Sequence, residues 1–284
     1  MKFFVLAGGY GKRAEPLSLI KPKAVFPLNG IPLLRLLLEQ LQVRLRLEGF
    51  INAHHLGEQV VQAAGHGGKV DFIYEKELSG SMVLRQALPF SFDWLLVVNG
   101  DTFLEIPLPA LLQKTVDPSV DGVLLVRHDP SGNYGRVRSR EGVFLDVCPP
   151  DHEPGLMYAG VALFKKKTLE QIDDMNFFTS IRKQQLHFEI VLYDDIWLDI
   201  GTPESYLRAN WAFQAHVQAK NSNSLSADVT FSPRAHVEKS VLWENTQVGE
   251  NVSLSECIVT GNVMLKNISR QRCIISRQGV FPLP

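Results

Sequence analysis

Lys2 to Ala7 reads KFFVLA, a short continuous apolar run that stops at Gly8, Gly9 and Gly11. Continuous apolarity, rather than alternation, is the pattern of a strand buried on both faces of a parallel sheet. Such a strand needs a layer packed on each side, and strands alternating with helices would make an α/β fold. The segments that follow keep the pattern. Pro32 to Leu47 has helical length and good helix formers, with Gly49 where a helix would stop. Phe50 to Ala53, Val70 to Tyr74 and Trp94 to Val98 read as further strands, with Gly57 to Ala64 and Ser81 to Leu88 as helices between them. Asp121 to Val126 and Met157 to Phe164 read as later strands, separated by a loop at Pro149 to Pro154. Thr202 to Lys220 reads as a helix, with Thr202 as cap and Pro203 at the first position. This order predicts a mixed, mostly parallel sheet with right-handed crossovers, and ligands beyond the carboxyl ends of its strands.

The chain has 284 residues and a net charge of -1, so no global basic field points to nucleic acid or an anionic membrane. No run approaches the roughly 20 apolar residues of a membrane helix. Cys148, Cys257 and Cys273 lack metal-ligand spacing and read as thiols of a reducing compartment, so a cytoplasmic protein is expected. Composition changes near Asn221, which predicts two parts, residues 1–220 and residues 221–284. In the second part, apolar singlets and pairs such as Val229, Val237, Val241, Val248, Val252 and Val259 recur at spacings loosely around six, with turns at Gly249-Glu250-Asn251 and Gly261-Asn262. That repeat is a sign of a short left-handed parallel β-helix, with a plain β appendage as the simpler alternative.

Glycines directly after a strand let backbone N–H groups approach phosphate oxygens, although a tight strand-to-helix turn needs the same residues. No GxxxxGK[ST] motif occurs, and Gly65 to Lys69 reads as a surface turn. Asn99-Gly100-Asp101 ends a second buried strand, at the kind of place where ligands gather. His54 and His55 are adjacent on a strand and point to opposite faces, so they read as structural. Asp194 and Asp195 read as a solvated turn.

The continuation of the glycine loop is more specific. Leu6 to Lys23 reads LAGGYGKRAEPLSLIKPK, and Phe26-Pro27-Leu28-Asn29-Gly30-Ile31-Pro32-Leu33 follows. This order resembles the signature of the sugar-phosphate nucleotidyltransferases, LAGGxGTRLxPLTxxxPKxLxPxxGxP. Val97 to Asp101 and Trp197-Leu198-Asp199-Ile200-Gly201-Thr202-Pro203-Glu204 resemble the family's two metal segments. Tyr134-Gly135-Arg136-Val137 is also similar. The match covers residues 1 to 210, and the tail resembles the β-helix of mannose-1-phosphate guanylyltransferase-like members. The resemblance implies a Rossmann-like three-layer α/β/α nucleotidyltransferase domain. Its reaction joins a nucleoside triphosphate to a sugar 1-phosphate and releases pyrophosphate, GTP and mannose 1-phosphate or a related sugar being favoured.

The resemblance also implies the site. Arg13 and Lys23 are the catalytic cations, and Asp101 and Asp199 hold Mg2+. Leu6, Ala7, Gly8, Gly9, Gly11, Glu75, Gly80, Asn99 and Gly100 bind the nucleotide. Tyr134, Gly135, Tyr158 and Gly160 bind the sugar. By itself, Asp199 could instead cap the helix near Thr202. Catalysis of this kind is mainly alignment and charge neutralisation, because no covalent enzyme intermediate is needed. Three segments depart from the family. Lys12 and Ala14 flank the signature arginine. The family's glycine-rich base loop reads Glu75-Lys76-Glu77-Leu78-Ser79-Gly80-Ser81-Met82-Val83-Leu84 here, one residue short and with only Gly80 kept, and side chains at Ser81 to Val83 are expected to crowd a base. After Phe144 the chain reads Leu145-Asp146-Val147-Cys148-Pro149 in place of Glu-Lys-Pro, and Tyr158 replaces an Asn. A working transferase with an unusual sugar is expected, with a catalytically weak nucleotide-sugar-binding or regulatory homologue as the alternative. A fold-mate that transfers sugar from a nucleotide-sugar is disfavoured by Lys21-Pro22-Lys23 and by the lack of a DxD motif. The β-helix offers flat faces through which a homodimer could form.

Overall fold

The structure is a computed structural model that describes residues 1–65, 69–219 and 222–283. Most of the expected turn at Gly65 to Lys69 and the composition change at Asn221 lie outside the described residues, while the last helix, expected to run to Lys220, ends at His216. The described residues contain one nine-stranded sheet. Its strands are β1 (Lys2–Leu6), β2 (Gly49–Ala53), β3 (Val70–Tyr74), β4 (Trp94–Asn99), β5 (Gly122–Asp129), β6 (Arg136–Arg140), β7 (Val143–Cys148), β8 (Gly155–Lys165) and β9 (Phe188–Leu192). They lie in the order β3-β2-β1-β4-β8-β5-β9-β7-β6.

The expected parallel order holds on one side, where β3, β2, β1 and β4 run parallel. It does not extend across the sheet. Strand β8 is antiparallel to both neighbours, and β6 and β7 form an antiparallel hairpin. That hairpin was not legible as strand because Arg136, Arg138 and Arg140 break up its apolar pattern. Its turn is formed by Glu141 and Gly142, both at positive φ, as a tight hairpin requires.

Alternation along the buried strands divides the core in two. Phe3, Val5, Leu96 and Val98 face one layer, while Phe4, Leu95 and Val97 face the other. The first layer holds α1 (Leu33–Leu38), α2 (Gly57–Ala64), α3 (Leu108–Lys114) and α5 (Pro203–His216). The second holds a 3-10 segment, Gly80–Ala87, and α4 (Phe177–Lys183). The long helix expected to Leu47 is α1 followed by a π-helical stretch, Glu39–Arg44. The buried Gln40 there donates to Leu104 O at 3.0 Å and accepts from Ile106 N–H at 3.1 Å. Helix α5 starts as expected: Thr202 and Ser205 form a reciprocal capping box.

Beyond α5 the chain rotates through three small sheets. Strands start at Ser224, Thr230 and His236, then again at Val241, Gln247 and Val252, and each pairs in parallel with its counterpart one coil on. Leu242, Val248, Leu254, Val259, Leu265 and Ile275 fill the interior. Asn245, Asn251, Asn262 and Asn267 take the turns at positive φ, which Asn tolerates better than most residues. Their amides pair coil to coil, Asn245 to Asn262 and Asn251 to Asn267. A final strand, Gly279–Pro282, turns back antiparallel along Cys273–Ser276.

This β segment packs tightly on the α/β part. A β-carbon at Gly30, φ 80, would stand 2.1 Å from Leu225 O. A Gly30→Ala variant therefore has both strain and a backbone clash to relieve. It is expected to lose about 3 kcal/mol of stability, measured by urea unfolding of the full chain.

Candidate active site

Chain order reverses between β1 and β4, which lie side by side and parallel, so a crevice opens at their carboxyl ends. The two loops that leave these strands are tied together. Gly100 N–H donates to Leu6 O at 2.9 Å. A β-carbon at Gly100 would lie 2.7 Å from that same oxygen, so only glycine allows the approach. Gly8 has the same constraint, with Asn52 Nδ2 2.7 Å from its would-be β-carbon.

A cavity of about 550 Å3 fills the crevice. Leu6, Ala7, Gly8, Gly9, Gly11, Lys23, Gly80, Asn99, Gly100 and Asp101 line it, all of them expected from the sequence. Lys23 forms an ion pair with Asp101. Asp199 arrives from far along the chain through a two-stranded ribbon, Thr102–Leu104 paired antiparallel with Trp197–Asp199, in which Asp199 faces Thr102. The ribbon is pinned to β8 by Trp197 Nε1–H, which donates to Ala159 O at 2.9 Å.

Asp199 does not cap α5, since Thr202 does. Its Oδ1 accepts Gly201 N–H and its Oδ2 accepts the Tyr134 hydroxyl, each at 3.1 Å. Burial raises the Asp199 pKa, and the charge of Asp101 adds to that; the Tyr134 hydrogen bond, Lys23 and Arg13 act against it. Arg13 is exposed and does not line the cavity, but a β-carbon on Gly201 would meet its Nη2 at 3.2 Å and both Asp199 oxygens at 3.0 Å. The four charged groups expected from the sequence thus share one electrostatic neighbourhood.

Two carboxylates in one electrostatic neighbourhood are a fitting pair of hard oxygen donors for a divalent cation. Among the described residues there is no cluster of three or more His, Cys, Asp or Glu that could hold a metal. The donor set fits an ion that keeps positions for phosphate oxygens.

The remaining expected residues divide. Burial, then the charge of Asp199, raises the pKa of Tyr134, whose ring stands edge-on to Trp197 with 5.5 Å between centroids. Tyr134 is carried by a turn whose N–H groups at Ser131 and Tyr134 are accepted by the buried Asp129 carboxylate. Gly160, φ 92, sits where a β-carbon would be 3.3 Å from Asn99 Cβ. Gly135 lines a second cavity of about 300 Å3 with Val147, Cys148 and Pro149, and Asn176 lies in both cavities. Tyr158 lines neither; its ring is edge-on to Phe177 and Phe178, and its hydroxyl is buried with no hydrogen-bond partner among the described residues. Glu75 does not line the main cavity either. Its Oε2 accepts Asn52 Nδ2–H at 2.5 Å and its Oε1 accepts Ser79 N–H at 3.0 Å.

Sequence reasoning missed Asn52, Leu78 and the Met175 to Phe177 stretch. Asn52 was detectable as a lone amide inside an apolar strand. It accepts Ala7 N–H at 2.6 Å and so joins the glycine loop to Glu75. Ser81 lines the cavity, but its Oγ turns away to donate to Asp174 O at 2.8 Å; Val83 is buried in the second core layer and does not line the cavity. The strand ends at Ala53, and the His54 and His55 rings both lie beside the Tyr10 ring, at 5.1 and 5.7 Å between centroids, so they do not point to opposite faces as expected; His54 bonds Glu75 O and the Tyr10 hydroxyl, and His55 donates to Ser18 O. Asp194 and Asp195 are exposed, as expected.

The nucleotidyl transferase family model matches residues 2–216. A Sulfolobus acidocaldarius protein, named provisionally as a mannose-1-phosphate guanyltransferase, is 29% identical over 90% of this chain and 74% of its own length. The mannose-1-phosphate guanylyltransferase catalytic subunit beta of Drosophila pseudoobscura pseudoobscura is 25% identical over 78% of this chain, which spans 64% of that protein. In fold, the crystal structure of HddC from Yersinia pseudotuberculosis is similar at a TM-score of 0.64, with 21% identity, covering 75% of this chain and 99% of that one. The chain belongs to the nucleotidyl transferase family, in its sugar-phosphate branch. Its activity is nucleotidyl transfer to a sugar 1-phosphate.

Asn52→Ala removes the acceptor of the buried Ala7 N–H. It is expected to cost about 1–3 kcal/mol of stability and to weaken triphosphate binding, checked by urea unfolding and calorimetric titration.

Proposed function

We propose that the chain transfers guanylyl from GTP to mannose 1-phosphate or a related sugar 1-phosphate, with Mg2+ as the metal. The observation that carries this is the meeting of Lys23, Asp101 and Asp199 at the glycine loop. The names of the relatives support the guanine base and the mannose-type sugar. A sugar 1-phosphate oxygen attacks the α-phosphorus of the triphosphate. The bond from that phosphorus to the bridging oxygen breaks, and pyrophosphate leaves.

In this reading Gly8, Gly9 and Gly11 present N–H groups to the triphosphate. Lys23 neutralises oxygens near the reacting phosphorus, and Arg13 holds the departing pyrophosphate. Asn99 and Gly80 contact the nucleotide, and Glu75 acts through Asn52 and Ser79 rather than by touch. Leu78, Met175 and Phe177 offer the base apolar contact. Gly135 and Gly160 border the sugar, Tyr134 borders it while orienting Asp199, and Tyr158 shapes its wall from behind Phe177. A divalent ion held by Asp101 and Asp199 would supply charge neutralisation to the phosphates.

The reading divides the chain into a catalytic part, residues 1–220, and residues 221–284 as coils of a left-handed β-helix. It places the protein in the cytoplasm; among the described residues no helix is long and apolar enough to cross a membrane. It also allows a homodimer through the β-helix.

Pyrophosphate release is expected to require Mg2+ and to stop with a chelator. Asp101→Ala and Lys23→Ala should each lower kcat on the order of 10²–10³-fold, read by a coupled pyrophosphate assay. Wild-type turnover in both variants would contradict the assignment.

A further inference from the structure

The segment from Lys12 to Phe26 carries Arg13 and Lys23, yet it is built only from three short 3-10 turns. It has no sheet ladder of its own, so its charges stay in place only if both flanks are held. One flank is held by the α2 region: His55 Nε2–H donates to Ser18 O at 2.8 Å, and Gln59 Nε2–H donates to Ile20 O at 3.1 Å. The other flank is held from the far end of the sequence. Lys21 Nζ donates to Glu244 Oε1 at 2.8 Å and stands 5.5 Å from the centre of the Trp243 ring.

Trp243 is fully buried, and its ring centre is 5.4 Å from that of Phe26. Its indole N–H donates to the Tyr206 hydroxyl at 3.0 Å, and that hydroxyl donates to Pro27 O at 2.7 Å. Lys21 and Lys23 are separated only by Pro22, φ -66. One lysine grips the β segment and the other grips Asp101. The grip on the β side is stiff. Thr246 Oγ1–H donates to Trp243 O, and Glu244 O accepts Asn262 N–H from the next coil.

We infer that Trp243 and Glu244 are positioning residues for Lys23, so that the β segment sets the alignment of the catalytic loop. The Lys21 side chain is only 14% exposed. Deprived of Glu244, its charge would have to move toward water, carrying Pro22 and Lys23 with it. A reaction that depends on alignment is sensitive to such a shift. The inference rests on the reading of Lys23 as a phosphate-neutralising cation.

The test uses the full chain with saturating Mg2+, triphosphate and sugar 1-phosphate, at a temperature well below each variant's melting point. Glu244→Gln is expected to lower kcat about tenfold with little change in either KM or in Tm. Lys21→Glu should lose activity, and pairing it with Glu244→Lys should restore a large part of it. Trp243→Phe, which keeps the packing but loses the indole N–H, should fall between. A Tm decrease in Glu244→Gln with wild-type kcat would mean that the contact serves packing alone and would overturn the inference. Lys23→Ala separates the two claims. If it is impaired while Glu244→Gln is not, the inference alone fails. If Lys23→Ala turns over like the wild type, the reading of Lys23 fails and takes the inference with it.

Discussion

Two carboxylates that repel each other have to be kept side by side, and much of the structure around the crevice answers that constraint. Asp101 comes from the end of β4 and Asp199 from the ribbon paired with Thr102–Leu104. Burial, and after it the charge of Asp101, raises the Asp199 pKa. Lys23 pairs with one carboxylate, while the Tyr134 hydroxyl and Gly201 N–H orient the other. A divalent cation held by Asp101 and Asp199 would offset their charge and would supply charge neutralisation to phosphate oxygens at that point.

The glycine positions follow from the same crowding. Gly100 allows the loops of β1 and β4 to approach within a distance that a β-carbon would forbid, and Gly8 leaves room for the Asn52 side chain at the end of β2. The sheet provides rigidity beneath them, with aliphatic and aromatic side chains buried on both faces. The segment from Lys12 to Phe26 has no such ladder. It borrows stiffness from α2 on one side and from the coils around Trp243 on the other. The C-terminal coils are thus part of the core that supports the site, with Trp243, Ile258 and Ile274 in the same apolar cluster as Phe26 and Tyr206.

The central strands were legible because burial on both faces leaves a continuous apolar run, and β1 to β4 fall within a residue or so of their expected bounds. Leu6 to Gly9 with Gly11, and Asn99 to Asp101, which line the main cavity, were legible because each group is a short segment at a strand end. Contacts between distant segments were not. Nothing local in Trp197-Leu198-Asp199 says that it will pair with Thr102 to Leu104, and nothing in Tyr134 says that its hydroxyl will reach Asp199. The hairpin of β6 and β7 was hidden because its arginines disrupt the alternation. Met175 to Phe177 enter the cavity through a loop whose position depends on Ser81 N–H donating to Met175 O at 2.8 Å, a link no spacing rule contains.

The most direct measurement is a matrix of the four nucleoside triphosphates against common sugar 1-phosphates, with Mg2+, read by pyrophosphate release and identification of the nucleotide-sugar. The account predicts turnover that is highest with GTP and a mannose-type sugar 1-phosphate. Nucleotide-sugar binding without pyrophosphate release for any pair would contradict it.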